Sequence, residues 1–441
     1  MTAAALCAAA LDSPSLSIVL PHGPASCRRP PTVLSSRAVS PRKQHLISRY
    51  GRLSAHVATV QDMRSLSYDQ LRLRTLRRQF PTIPGRGPEA VIELFRRLGP
   101  IQSQVPRAPF LTISSRLPGV SYDTVCSLFE SHQLLKTSNI RGTVHTSLPE
   151  QFGWLDAVAR RSRAVQLRNV LKLHDVTPQQ LGEEIEAFTS HDWTPRSEIV
   201  AHARTWLAER ETGPALQVPE VLSDNLLWGH SGLIRRPRDM RWEKRTDIFH
   251  QRARSVLPDL GEYDFAEALT ELVRVHLGSY GPALREDLAF FFGAGLGAVD
   301  GALRRLDDEI IHLRGPNGED YLDLADPPDG GTSDPALCLL PEYDGLLVGY
   351  HGRHRTRFLT EQQLPKVWAK VNGLFSPVVL YGGRLVASWK TITKNRRTDI
   401  EVNMLDPHPV LPDDFFGDAI AATEQVLDLK ITDLRVRPPL R

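Results

Sequence analysis

The chain has 441 residues, 41% of them hydrophobic and 24% charged, with a formal net charge of +3. Such proportions belong to a globular protein of two to four compact units and exclude a wholly disordered chain. No apolar run reaches the roughly 18 to 20 residues of a membrane-spanning helix, so a membrane partner is not expected. The charge excess is too small to argue for nucleic acid by itself, and a polyanionic partner must be sought in local clusters.

Residues 1–60 are rich in Ala, Ser, Pro and Arg, with Asp12 as their only acid. That composition fits a transit peptide, a disordered tail or translated sequence upstream of the true start, and it is set aside from the fold. The cysteines Cys7, Cys27, Cys126 and Cys338 lie far apart without a CxxC pair, so neither a disulfide framework nor a zinc site is expected, and a reducing compartment fits. His351 and His354 form an HxxH pair without a carboxylate companion. No metal and no cofactor is therefore predicted.

Further along, one pattern recurs: helices, then two short strands joined by a polar turn. In "SYDTVCSLFESHQLL", Val125, Leu128 and Phe129 share a helical face, and "KTSNIRGTVHTSL" follows with a turn at Arg141-Gly142. Next, the helical "PRSEIVAHARTWLAER" and "VPEVLSDNLLW" lead to "SGLIRRPRDMRWEKR", two strands around a basic turn. The third copy is clearest. "FAEALTELVRVHL", "LREDLAFFF" and "VDGALRRLDDEI" are helical and run into "IIHLRGPNGEDYLDL", a hairpin turning at Gly315-Pro316-Asn317-Gly318. The glycines of "FFGAGLGAVDG" follow a helix instead of a strand, which favours a turn between helices over a dinucleotide site.

Helix, helix, hairpin is the plan of a winged helix. The expected fold is α+β: three tandem winged-helix units at 61–155, 156–250 and 251–330, then a β-rich, barrel-like domain at 331–441 after the linker "LADPPDGGTSDP". Strands are expected in "ALCLLPEYD", "LLVGY", "SPVVLYGGRLVASWK" and "DIEVNML", closed by the helix "DDFFGDAIAATEQVLDL".

Basic residues gather in the turns. The second wing carries Arg235, Arg236, Arg238, Arg241, Lys244 and Arg245, the helix near 160 adds Arg160, Arg161, Arg163 and Arg168, and the β-region has "HGRHRTRF" and "KTITKNRR". Each cluster alone reads as a solvated face. Several basic wings on one side of a winged-helix array suit the phosphates of a duplex.

Within "RRLGPIQSQVPRAPF", Pro100 stops one helix and Pro106 delays the next, which leaves Gln102-Ser103-Gln104 extended. In an extended chain, residues two apart point the same way, so both carboxamides project together and Ser103 faces away. Taken alone, the pair also fits two loop glutamines bonded to backbone.

The segment "LGPIQSQVPRAPFLTISSRLPG", with "LLKTSNIRGTVH", "YGPALREDLAFFFG", "LLPEYDGLLVGY" and "FSPVVLYGGRLVASWK", resembles the bacterial winged-helix DNA glycosylases related to AlkZ and YcaQ. The resemblance spans roughly residues 65 to 430. It implies a concave DNA channel and hydrolysis of the N-glycosidic bond of N7-alkylated purines. Gln102 and Gln104 would hold the attacking water, and Ser103 stands where the family carries an aliphatic residue. The Gln-x-Gln form is linked with unhooking of interstrand crosslinks. Such a site works without a carboxylate because the alkylated base already carries a positive charge and leaves without protonation. No lyase step is expected.

Arg141 and His145 match a segment typical of the family's first wing and become candidates for DNA contact. Arg235 and Arg236 of the second wing, Arg353, Arg355 and Arg357 on a hairpin reaching into a groove, and Lys390 complete that set. The expected partner is double-stranded DNA with alkylated purines, met by a monomer in the cytoplasm at the nucleoid. A winged-helix regulator without chemistry would instead prefer one DNA sequence, and an interaction scaffold would show no salt-sensitive DNA binding.

Overall fold

A computed structural model of the chain describes residues 65–212, 230–246, 248–328, 330–369, 373–395 and 397–439. The segment 1–60 and the helix expected in "VPEVLSDNLLW" lie outside the described residues.

The helix Pro88–Leu98 starts on a proline, whose missing N–H is harmless in the first turn, and buries Ala90, Val91, Leu94, Phe95 and Leu98 along one stripe. Gly99 ends it at φ +72°, a conformation that disfavours any side chain, and a β-carbon there would press on Val275. Strand β1 (Ile101–Gln102) follows, then the helices Ala108–Arg116 and Tyr122–Glu130. Strands β2 (Leu135–Ser138) and β3 (Val144–Ser147) form the hairpin expected around Arg141-Gly142, and β1 docks antiparallel on β3.

That order, helix, short strand, helices and hairpin, with the short strand on the returning one, is the winged-helix topology, and it recurs. In the second copy the helices Pro178–Phe188 and Arg196–Ala208 flank β4 (Thr194–Pro195). Strand β4 pairs with β6 (Phe249–Arg252), the partner of β5 (Leu233–Arg236). In the third copy, the helices Phe265–Tyr280, Arg285–Phe292 and Leu296–Arg305 precede β7 (Ile310–Arg314) and β8 (Asp320–Leu324). Its short strand is reduced to one bridge, Ala283 to Leu322. Gly293, at φ +62°, closes one of these helices and Gly295 caps the next, so the glycine-rich stretch is the inter-helix turn read from the sequence.

The first two hairpins are not separate wings. Thr137 of β2 pairs with Ile234 of β5, which merges them into one six-stranded sheet in the order β1-β3-β2-β5-β6-β4. The third hairpin stands apart with two strands.

The C-terminal region holds a small ladder, β10 (Trp368–Ala369) with β11 (Leu374–Phe375). Its main sheet contains β9 (Cys338–Leu340), β12 (Val378–Tyr381), β13 (Arg384–Lys394), β14 (Arg397–Met404) and β15 (Ile431–Arg437). Their order is β15-β14-β13-β12-β9, an open sheet among the described residues, with only β14 and β15 parallel. Two expectations change here, and one strand is added. "LLVGY" is a helical turn, Gly345–Val348, because Asp344 caps it by accepting from the Leu346 N–H. "HGRHRTRF" is a 3-10 turn, Gly352–Arg357, with His351 as its cap, and no hairpin forms there. Strand β15 lies in "KITDLRVRPP", which the sequence reading passed over.

The linker before this region does not insulate it. Val379, Trp389, Ile400 and Val402 of the C-terminal sheet share a core with Phe95, Phe110 and Phe129 of the first unit. The helix Ala108–Arg116, next to the two glutamines, buries eight of its residues: Ala108, Pro109, Phe110, Leu111, Thr112, Ile113, Ser114 and Arg116. A second core surrounds Phe265–Tyr280 and joins Leu155 and Val158 of the long helix Pro149–Leu171 to Phe291, Leu340 and Tyr350. Phe110 is fully buried, so Phe110→Ala is expected to cost about 3–5 kcal/mol, read as a lowered urea midpoint.

Candidate active site

The glutamine segment is held by its backbone. Gln102 lies opposite His145 in the β1–β3 pair, and the Ser103 N–H donates to Val144 O at 2.7 Å. Ser103 points inward at 1% exposure, its hydroxyl donating to Ile101 O (3.0 Å) and lying 2.7 Å from Thr146 Oγ1. A polar residue is stable at this buried position because Thr146 and Ile101 satisfy it.

The glutamines on either side of Ser103 converge on the β2–β3 turn. Gln102 Oε1 accepts from Arg141 Nη2 at 3.1 Å, and Gln104 Oε1 accepts from the Val144 N–H at 3.4 Å. Gln102 is 7% exposed and Gln104 is half-buried. From the second wing, Arg245 Nη2 donates to Gln104 O at 3.1 Å, and its neighbour Lys244 is exposed.

Beneath Gln102 lies a cavity of about 20 Å³ lined by Gln102, His145, Arg116, Tyr280, Tyr343 and Asp344 among others. That is room for about one water. Arg116 grips Asp344 through both oxygens at 2.8 and 2.9 Å, both groups buried. A carboxylate thus does border the site, contrary to the expectation from the sequence. It is committed to Arg116 and to the cap of the Gly345–Val348 turn. Outside the cavity, Arg107 bonds Glu342 (2.6 Å) and Thr391 (2.8 Å), which fastens the segment after Gln104 to the C-terminal region.

Burial, and then the Arg141 charge, pull His145 down to about 3, so the imidazole is neutral at physiological pH. Burial also lowers Arg141, to about 10, which leaves it cationic. Tyr343 is pushed up to about 12 by burial and by Glu342, and stays a phenol. The cavity wall therefore offers amides, two phenols, a neutral imidazole and one internally neutralised ion pair.

A family model described as DNA glycosylase AlkZ-like matches residues 95–427. The chain belongs to the AlkZ-like DNA glycosylase family. Its matched span contains both glutamines, all three hairpins and most of the C-terminal sheet. Among solved structures, Streptomyces sahachiroi DNA glycosylase AlkZ aligns with a TM-score of 0.68 at 20% identity, covering 85% of this chain and 100% of that one. At that identity the likeness establishes a shared fold. No curated protein sequence matches. Family membership makes the chain a DNA-repair glycosylase acting on DNA, and among the described residues no helix is long and apolar enough to cross a membrane.

The other candidate residues separate into two groups. Arg353 is exposed, and Lys390 is half-exposed beside Glu401 at 2.7 Å. Arg236 is partly exposed over the Trp193 and Phe249 rings. The rest are buried, or partly buried in the case of Arg141. Arg235 is 7% exposed and donates to Ser138 Oγ, so it is a sheet residue instead of a wing contact. His145 is 1% exposed, its Nδ1 3.1 Å from Thr143 O. Arg141 donates to Gln102 Oε1 and Phe291 O. Arg355 stacks within 4.4 Å of the Trp368 ring and donates to Leu347 O, and Arg357 bonds Thr75 and Tyr350. A 3-10 turn with its aromatic neighbours draws these two guanidinium groups inward. Arg116, Tyr343, Asp344 and Arg245 were missed as site residues, since nothing in their local sequence relates them to the glutamine segment.

Two outcomes follow from this burial. Arg357→Met should lower stability by about 1–3 kcal/mol, because Thr75 and Tyr350 lose a buried partner, whereas Arg353→Ala should stay within about 0.5 kcal/mol; thermal unfolding measures both. His145 binds no proton when folded above about pH 3 but takes one near its ordinary 6.5 when unfolded. Stability is therefore lost as pH falls below that ordinary value, and His145→Asn should lose about 2 kcal/mol less than the parent between pH 7 and 5, read from urea midpoints at the two pH values.

Proposed function

We propose that this chain hydrolyses the N-glycosidic bond of N7-alkylated purines in duplex DNA, with Gln102 and Gln104 holding the attacking water. The observation that carries the reading is the pair of carboxamides converging on one turn, with Gln102 also lining a cavity the size of a water. An amide both donates and accepts, and orientation of a nucleophile supplies several kcal/mol without any acid or base. The water oxygen bonds to C1′ as the C1′–N9 bond breaks. The bonding pair leaves with the purine and cancels its positive charge, and the proton from water passes to solvent. A neutral base lacks that driving force, and Asp344, tied to Arg116, is not available to supply it. Undamaged DNA is thereby spared.

No lysine lines the cavity among the described residues, which favours attack by water over an amine and a monofunctional enzyme without lyase activity. The Gln-x-Gln arrangement is the basis for proposing crosslink unhooking as well. We assign DNA contact to the exposed basic residues Arg238, Lys244, Arg245, Arg353, Lys390 and Lys394. Arg236 is retained among them. The three hairpin-bearing units at 61–155, 156–250 and 251–330 and the domain at 331–441 would form the walls of the DNA channel for a monomer working at the nucleoid.

Incubation with methylated duplex DNA should release 7-methylguanine and leave abasic sites cleaved by heat or alkali. Gln102→Ala and Gln104→Ala should each slow release about 100-fold or more. Sequence-selective binding without base release would instead mark a regulator.

A further inference from the structure

We propose that Arg141 gives the two glutamines opposite roles, fixing Gln102 as the hydrogen-bond donor to the attacking water and leaving Gln104 as its acceptor. The inference rests on the reading in which these residues hold that water.

An arginine has donors only, so the Gln102 atom 3.1 Å from Arg141 Nη2 must be its oxygen. The planar carboxamide then turns its NH2 away from Arg141, and a cation on the oxygen strengthens those N–H donors. At Gln104 the oxygen accepts one N–H, from Val144 at 3.4 Å. A carbonyl oxygen has a second lone pair, which is available for a water proton. A water accepting from Gln102 and donating to Gln104 keeps one lone pair for C1′. Its departing proton lies on the Gln104 side and moves on to solvent, since an amide does not keep it.

Arg141 is built for this position. Its guanidinium donates to Phe291 O and lies 5.5 and 5.1 Å from the Phe290 and Phe291 ring centres, so a helix of the third unit holds it. Its backbone sits at φ +54°, uncommon outside glycine, and its carbonyl accepts from Arg163 Nη1 at 3.0 Å. Among the described residues no carboxylate pairs with it, so the contact with Gln102 is not shared with an anion. Phe291 O and Gln102 Oε1 take one bond each from Nη1 and Nη2 and aim the guanidinium at the amide. Arg141 is thus a positioning residue, acting through Gln102.

Arg141→Gly tests this, because glycine accepts the left-handed backbone while the side chain is removed. Single-turnover release of 7-methylguanine should fall about 10- to 100-fold, with the salt dependence of duplex binding unchanged. Millimolar guanidinium should restore part of the rate where equal sodium chloride does not. Independently of whether Arg141→Gly folds well, Gln102→Glu, which cannot donate, should be slower than Gln104→Glu, which still accepts, by about 10-fold or more. The proposal is overturned by an unchanged rate in Arg141→Gly, by a salt slope reduced by about 0.9, as for a lost phosphate contact, or by equal damage in the two Glu variants. If the parent protein releases no 7-methylguanine, or if Gln102→Ala and Gln104→Ala are fully active, the hydrolytic reading itself fails and takes this assignment with it.

Discussion

Three backbone contacts between a proline-bounded segment and the first hairpin carry the architecture of the site: Ile101 opposite Thr146, Gln102 opposite His145, and the Ser103 N–H on Val144 O. Alternation along an extended chain then does the rest. Ser103 is driven inward onto Thr146, and the glutamines on either side reach the turn at 141–144. A slip of one residue in this pairing would put Gln102 or Gln104 in the inward place of Ser103 and turn the carboxamides away from the 141–144 turn. Because the same hairpin joins the second one through Thr137 and Ile234, the short edge strand belongs to a six-stranded sheet and inherits its rigidity.

Charge in this molecule is managed more by burial than by display. Arg116 and Asp344 neutralise each other at the base of the site, and Arg78 does the same with Asp323 at 2.7 Å beneath the third hairpin. Breaking either pair would strand a charge in the interior, while the intact pairs leave little net field. Arg355 and Arg357 are accommodated by aromatic rings and neutral acceptors. For the proposed reaction, in which positive charge moves from a purine to a sugar, a pocket wall that among the described residues holds neither a free anion nor a titrating histidine favours discrimination over raw acceleration. Neutral His145 fits that wall, and the Arg141 cation beside it is directed at an amide oxygen.

Composition led to a different reading of these same residues. A run such as "HGRHRTRF" has the charge of a phosphate-binding hairpin, yet its residues Arg355 and Arg357 are 4% and 5% exposed. Local sequence could not reveal this, because the rings that receive Arg355 come from Phe290, Trp368 and Phe375. In the same way "LLVGY", apolar enough for a strand, became a helical turn once Asp344 capped it. Helices with a strong apolar stripe and turns with Pro, Gly and Asn were legible, since periodicity and dihedral preference act within a few residues.

From the chain alone came the repeated helix-and-hairpin plan, the extended Gln102-Ser103-Gln104 segment with its inward serine, the glycine turn between helices, and the family resemblance. All of these depend on steric and periodic rules that operate between near neighbours. Tertiary structure alone decided that two wings fuse into one sheet, that Arg116 and Asp344 floor the site, that Arg245 leans on Gln104, and that Arg141 bonds Gln102. Each of those contacts joins positions tens to hundreds of residues apart, and a buried charge or an amide takes whichever partner the packed core brings within hydrogen-bond reach.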